Sequence, residues 1–270
     1  MSRTLELLRA FFLRDMRIAL SYKAGFALGS MASIGNIAGL FFLGQAFGDA
    51  AASRLDAYGG SYFAFVIVGV AFTNFMALGL GGLASKIREG QMMGTLELML
   101  ISPNRLAALL LSSSLWSHAY GSVSIVLYFV IGAALGMDLG DANVPVVLVS
   151  LLLAIVSFNA LGLLAASVVI VIKQGDPVNW VVGVASVLLA GVFYPRDVLP
   201  GWLQAAGNAL PLTHALELVR RSALQGAGFD SLWPSLVALV ALTAILLPLG
   251  LFACHLAVRI AQTDGSLSQY

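Results

Sequence analysis

An all-α membrane protein with six transmembrane helices is the fold class that this 270-residue sequence predicts. Three observations predict it. Hydrophobic residues make up 60% of the chain and charged residues 10%, with a mean hydropathy of +0.94. Soluble domains run near a quarter charged, and a soluble protein this apolar could not cover its surface with polar groups. Six stretches qualify as spans when set against the roughly 20 apolar residues that a helix needs to cross the hydrocarbon core. Lys and Arg, finally, collect on one side of the resulting topology.

The spans are expected at residues 24–47, 61–84, 106–135, 144–172, 178–194 and 233–258. The fifth is short and flanked by irregular sequence, and the third and fourth are long enough to tilt. With six spans both termini share one side, which holds ten of the 14 Lys and Arg residues. The other side holds Arg54, Arg196, Arg220 and Arg221, and its 137–143 turn carries Asp138 and Asp141 without a cation. The positive-inside rule then puts both termini in the cytoplasm. The first apolar stretch starts only after Lys23 and is too long for a signal-peptide core, so the whole chain reads as mature protein. Net charge is +1, which points to no nucleic acid, and Cys254 is the single cysteine, which excludes an internal disulfide framework.

Three segments lie outside these spans. In residues 4–21, Leu5, Leu8, Phe11, Phe12, Met16 and Ala19 share one helical face, and Arg3, Glu6, Arg9, Arg14 and Arg17 share the other. This is an N-terminal amphipathic helix suited to lie along an anionic leaflet. A disordered basic leader is the competing reading, disfavoured by the breadth and regularity of the apolar face.

The second segment is the cytoplasmic loop 86–105 between spans two and three. Ser102 and Pro103 suit the N-cap and first turn of span three. Residues 95–101 can form a short helix with Leu96, Met99 and Leu100 on one side, either a docking surface or a cover for the lower end of the bundle.

The third is the outer region 195–232, punctuated by Pro195, Pro200 and Pro211. Pro200 and Pro211 sit where helices can start. After Pro211, Leu212, Leu216, Val219 and Ala223 fall at helical spacing, with His214, Glu217, Arg220 and Arg221 on the remaining face. Two short re-entrant helices fit this pattern. Broken backbone at membrane depth must be buried in protein or line a cavity, so the region, with Tyr194 and the interface-suited Trp202, is a candidate for the outer end of a pathway.

Some chemistry is absent. The three lysines, Lys23, Lys86 and Lys173, follow no glycine-rich turn, so there is no Walker-type phosphate loop. No aspartates pair inside the spans, and no cluster has metal-ligand spacing. His118 and His255 stand alone in spans and suit hydrogen bonds between helices. No catalytic residue is assigned. The spans are nearly free of ionisable groups, which disfavours a proton or sodium relay. Their polar residues are neutral, among them Asn36, Gln45, Thr73, Asn74 and Asn159. These suit either packing or a pathway for a large, partly apolar substrate.

The stretch Arg88-Glu-Gly-Gln-Met-Met-Gly-Thr-Leu-Glu97, followed by Ser102-Pro103, resembles the coupling segment of type 2 ATP-binding-cassette exporter permeases. Gly191-Val-Phe-Tyr-Pro195, Val198-Leu-Pro-Gly-Trp202, Asn208-Ala-Leu-Pro-Leu-Thr-His-Ala215 and Arg220 resemble the same family's signature before its last span. Order, spacing and layout agree over nearly the whole chain, although the 90–94 stretch is less charged than in many members.

The resemblance implies one permease domain, residues 1–270, with residues 1–23 as its interfacial helix. It implies a separate ATP-binding-cassette ATPase subunit and a second permease subunit, here a homodimer. ATP and magnesium would bind the ATPase, and no cofactor would bind this chain. Glu89, Gly94, Thr95, Leu96, Glu97 and Leu100 would belong to a cytoplasmic coupling helix. Asn36, Asn74, Asn159, Tyr194 and Trp202 are the candidate pathway residues. The expected activity is export of an amphipathic or hydrophobic substrate, such as a drug, a lipid-like compound or a lipid-linked glycan, across the plasma (inner) membrane. A secondary transporter or channel with no ATPase is the alternative.

Overall fold

The computed structural model describes residues 3–52, 54–94, 106–172 and 176–263. Nine α-helices account for nearly all of them: α1 (Arg3–Ser21), α2 (Lys23–Ala52), α3 (Tyr62–Met92), α4 (Leu106–Ala134), α5 (Val144–Ile172), α6 (Pro177–Leu189), α7 (Gly201–Gly207), α8 (Pro211–Gln225) and α9 (Phe229–Thr263). Single 3-10 turns stand at Asp56–Tyr58 and Arg196–Val198. Helices α2, α3, α4, α5 and α9 are long and apolar enough to cross a membrane. In hydrocarbon a helix pairs every backbone N–H within itself, which is why continuous apolar sequence takes this form. The chain is a multi-pass membrane protein.

Helices α3 and α5 form the core. The Ser61 hydroxyl caps α3 by accepting from the Ala64 N–H at 3.3 Å. The helix then runs 31 residues without a break. Its Phe65, Phe72, Phe75 and Met76 are fully buried. Small residues bring it against α5: a Cβ on Gly162 would collide with the Gly79 carbonyl, and one on Gly79 would lie 2.8 Å from the Phe158 Cβ. Close approach through small residues is how helices associate where lipid removes the hydrophobic drive.

Helix α9 crosses α5 in the same manner, with Gly250 facing the Ala160 carbonyl at 2.8 Å from a Cβ position. A buried hydrogen bond joins the Ser157 and Thr243 hydroxyls across this contact. At 35 residues α9 is about 52 Å long, well beyond a hydrocarbon core of about 30 Å. It extends the expected 233–258 span at both ends.

Helix α1 shows the expected two faces. Leu8, Phe11, Phe12, Met16 and Ala19 are half-buried, while Glu6, Arg9, Arg14 and Arg17 are exposed. Its docking contact is an edge-on meeting of the Phe12 and Trp116 rings, centroids 5.6 Å apart, which ties it to α4.

The fifth expected span differs from expectation. Helix α6 ends at Leu189, five residues before Tyr194, and its 13 residues cover about 20 Å. The chain turns at Gly191, whose φ of +73° is left-handed, a conformation a side chain disfavours. The carbonyls of Gly191 and Val192 leave the helical ladder and accept hydrogen bonds from Arg220 instead.

Candidate functional site

The expected site residues fall in three places: the Lys86–Gly94 end of α3, the interior of the helix bundle, and the cap formed by α7, α8 and the turns beside them.

At the first, α3 runs on past the expected end of its span. Lys86 and Glu89 pair at 3.1 Å on its exposed side, a solvated i,i+3 pair that contributes little stability. Gly90 and Gln91 turn inward, and the Gln91 Oε1 has no hydrogen-bond partner among the described residues. Met92 and Met93 are 76% and 68% exposed. Gly94 then ends the helix with a φ of +66°, the left-handed conformation that ends many helices. Thr95, Leu96, Glu97 and Leu100 lie outside the described residues, as do Ser102 and Pro103.

In the interior, Asn159 is buried between α4 and α5. Its Nδ2 donates to the Ile155 carbonyl at 2.9 Å and lies 3.4 Å from His118 Nε2. His118 Nδ1 stands 2.8 Å from the Ser114 carbonyl. That carbonyl can only accept, so Nδ1 carries the proton and Nε2 accepts from Asn159. The pair is a neutral bridge between helices. Asn36 sits on the exposed face of α2. Asn74 Nδ2 donates to the Tyr128 hydroxyl at 3.2 Å, linking α3 to α4.

The cap is the most tightly bonded region. Pro200 precedes α7, and Pro211 opens α8 at its first turn, where the missing N–H leaves no bond unmade. Tyr194 donates its hydroxyl proton to the Leu188 carbonyl. With Phe47, Arg54, Tyr62, Phe193 and Val198 it lines an open crevice of about 430 Å³ beside the cap. Trp202 is 73% exposed on α7. The structure therefore gathers Tyr194 with aromatic neighbours, leaves Trp202 on the surface, and separates both from Asn36, Asn74 and Asn159.

Arg220 departs from expectation. The spacing puts it on the polar remainder of α8, yet it is 3% exposed. Nε donates to the Phe65 carbonyl at 3.1 Å, Nη1 to Gly191 at 2.8 Å and Nη2 to Val192 at 2.8 Å. The guanidinium also stacks 3.5 Å from the Phe65 ring centroid. One side chain thus ties α8 to α3 and to the turn after α6. A planar fork of five donors suits three converging carbonyls, and lysine lacks that geometry. Burial pulls the guanidinium down to about 9, with Tyr58 and Glu217 opposing the shift, so it stays charged at neutral pH.

Nearby, Tyr58 donates to Glu217 Oε2 at 2.8 Å, and Arg221 pairs with Glu217 Oε1 at 3.5 Å. Burial and then the Glu217 charge push the Tyr58 hydroxyl well above its ordinary range. Room for Arg220 comes from Gly69: a Cβ there would lie 2.5 Å from the Val192 carbonyl and 2.6 Å from Arg220 Nη2. The signal in the sequence was a lone glycine within the apolar 62–72 run of α3, together with an arginine directly following Val219.

Residues 8–224 match the family described as ABC-2 type transporter. The chain is also similar to the inner membrane transport permease YhhJ of Escherichia coli strain K12 and to that of Shigella flexneri. Each is 23% identical over 180 residues, covering 65% of this chain and 46% of the relative. The chain thus spans about half the length of these curated relatives. Its apolar helices and the extent of the family match agree: the chain belongs to the ABC-2 type transporter family.

Proposed function

We propose that this chain is the membrane subunit of an ATP-driven exporter, powered by a separate ATP-binding-cassette ATPase. The carrying observation is α3. This one unbroken helix meets the Arg220 cap near its start and exposes Met92 and Met93 at its other end. A subunit without its own energy source needs such a rigid element to pass a push from one membrane face to the other. A long helix packed along its length does not bend freely, because its interior neighbours leave no space.

In this reading six spans cross the plasma membrane, with α6 and its following turn as the fifth and both termini in the cytoplasm. Glu89 and Gly94 start the coupling segment, and Thr95, Leu96, Glu97 and Leu100 complete it. Helices α7 and α8 form the outer re-entrant pair that narrows the exit. Two copies of the chain assemble, each on one ATPase that holds ATP and magnesium, and this chain binds neither. The cargo is amphipathic or hydrophobic. Asn36, Asn74, Asn159, Tyr194 and Trp202 are the polar and aromatic groups offered to it.

Co-expression with an ATPase of this class tests the reading. The expected result is a co-purifying complex whose ATP hydrolysis falls when Leu96 or Glu97 is replaced, while the helices stay folded. Full coupled activity in both variants would sink the coupling assignment. Transport by the purified chain alone, without ATP, would favour a secondary transporter or channel.

A further inference from the structure

A cavity of about 270 Å³ opens between α2, α3 and α4 near the middle of α3. Its wall is mostly apolar but carries five polar side chains, and it is partly open, with Asn74 exposed. Ser33 comes from α2, Asn74 from α3, and Tyr120, Ser124 and Tyr128 from α4. Phe75 supplies an aromatic wall. Among the described residues no Asp, Glu, Lys, Arg or His lines it.

The hydrogen bonds show what the lining has left to offer. Ser33 donates to the Gly29 carbonyl and Ser124 to the Tyr120 carbonyl, each at 3.1 Å. Both hydroxyls spend their proton within their own helices; the Ser33 hydroxyl also meets the Tyr128 hydroxyl, while the Ser124 oxygen keeps its lone pairs for another donor. Asn74 uses one amide proton on Tyr128, and among the described residues no protein donor reaches its Oδ1. The wall therefore presents hydroxyl and amide oxygens together with an amide N–H, all uncharged.

Elsewhere in the bundle polar groups meet between packed helices, as the buried Asn159 N–H and His118 do. Here they face a space. Helix α2 packs chiefly on α3, and its outward residues Leu28, Met31 and Ile34 are exposed, so the cavity lies behind a helix with an exposed apolar face. Gly29 borders it, and a Cβ there would stand 3.7 Å from the Tyr120 hydroxyl, an ordinary contact.

The geometry points to a binding site for a neutral amphiphile whose head carries hydroxyl or amide groups. Such a head can both donate to the serine and asparagine oxygens and accept from the asparagine N–H. A charged head would enter low dielectric with no counter-ion, at heavy desolvation cost. The volume admits a diol or a single-sugar head and leaves the hydrocarbon tail in the bilayer. Calling this molecule the cargo rests on the permease reading above; its binding does not.

The test uses the full chain in lipid nanodiscs and three probes with the same diazirine-bearing acyl chain. One has a glycerol head, one a carboxylate and one a trimethylammonium. After photolysis, labelled peptides are mapped by mass spectrometry. The glycerol probe is expected to label α2–α4 peptides around the cavity about fivefold above either charged probe, the discrimination of roughly one hydrogen bond. Asn74→Leu, which removes polar groups, and Gly29→Leu, which fills the space, should each lower that labelling about fivefold. Labelling of α9 should not change, which reports an intact fold. Equal labelling by the three probes, or labelling unchanged in both variants, overturns the proposal. Site-specific binding without stimulation of a co-purified ATPase keeps the site and removes its role in transport.

Discussion

The two ends of α3 differ in what satisfies them. At the cap end the buried polar groups around Arg220 are answered from within the chain: the three carbonyls of Phe65, Gly191 and Val192 by one guanidinium, and Glu217 by Tyr58 and Arg221. At the Met92 end two large thioether side chains are exposed, the Gln91 Oε1 has no partner among the described residues, and Glu89 pairs with a surface lysine. Methionine is a flexible, polarizable side chain favoured on surfaces that accept a partner. The comparison teaches a division of labour along one helix: one end is held by its own chain, and the other is presented to something else.

The largest expected effect attacks the held end. Arg220→Ala leaves three buried carbonyls without their donor and should cost about 3 kcal/mol or more, at 1–3 per unmet group with partial relaxation. Arg220→Lys should recover only part of that, because an ammonium cannot reach three carbonyls as a planar fork does. Thermal unfolding in detergent, read by tryptophan fluorescence, checks both. Equal melting of wild type and Arg220→Ala would break the comparison at its strongest point.

Gly69→Ala comes next. Its new Cβ meets a backbone carbonyl and the guanidinium within 2.6 Å, an overpacking worth about 1–3 kcal/mol. If the two sites act through one contact, the double variant Gly69→Ala with Arg220→Ala should be less destabilised than the sum of the singles. Strict additivity would mean that Gly69 serves another contact.

A smaller effect depends on pH. Burial lowers the His214 pKa from its ordinary value near 6.5, ahead of the opposing hydrogen bond to the Asn208 carbonyl. A histidine held neutral in the fold contributes stability that is present above pH 6.5 and lost as pH falls toward the lowered value, where the unfolded chain takes the proton first. Protection factors of α7 and α8 amides, which divide out the intrinsic slowing of exchange in acid, should therefore fall between pH 7.5 and pH 5.5, and His214→Gln should flatten that dependence. Protection that rises in acid would reverse the sign and reject the assignment.

The smallest stability change is expected at the presented end. Met92→Ser with Met93→Ser should shift unfolding by no more than about 0.5 kcal/mol, the usual range for exposed positions. If that surface receives an ATPase, the same variant should lower its co-purification. Loss of stability without loss of association would invert the comparison.

Residue by residue, the sequence was most legible where one rule acts alone. The α5 boundaries follow from unbroken apolar length, and α2, α3 and α4 begin within a few residues of expectation for the same reason. The two faces of α1 follow from helical period, and Pro200 and Pro211 mark the starts of α7 and α8. Legibility failed where a remote group competes with local preference. The 178–194 stretch is apolar enough to continue as helix, but Arg220 draws the Gly191 and Val192 carbonyls out of the ladder. Asn74 and Asn159 look alike in sequence, yet one borders a cavity and the other closes on His118.

By itself, then, the sequence determined that the chain lives in lipid, where most of its long helices begin, and which segments break the pattern. Those properties depend on solvent and on hydrogen bonds between near neighbours, which composition and spacing record. Only the tertiary structure decided that a charge assigned to a polar face is buried, that α6 stops short, and that an uncharged cavity lies behind α2. Each of these depends on which distant group arrives within about 3 Å, the range of a hydrogen bond, and no local spacing encodes that arrival.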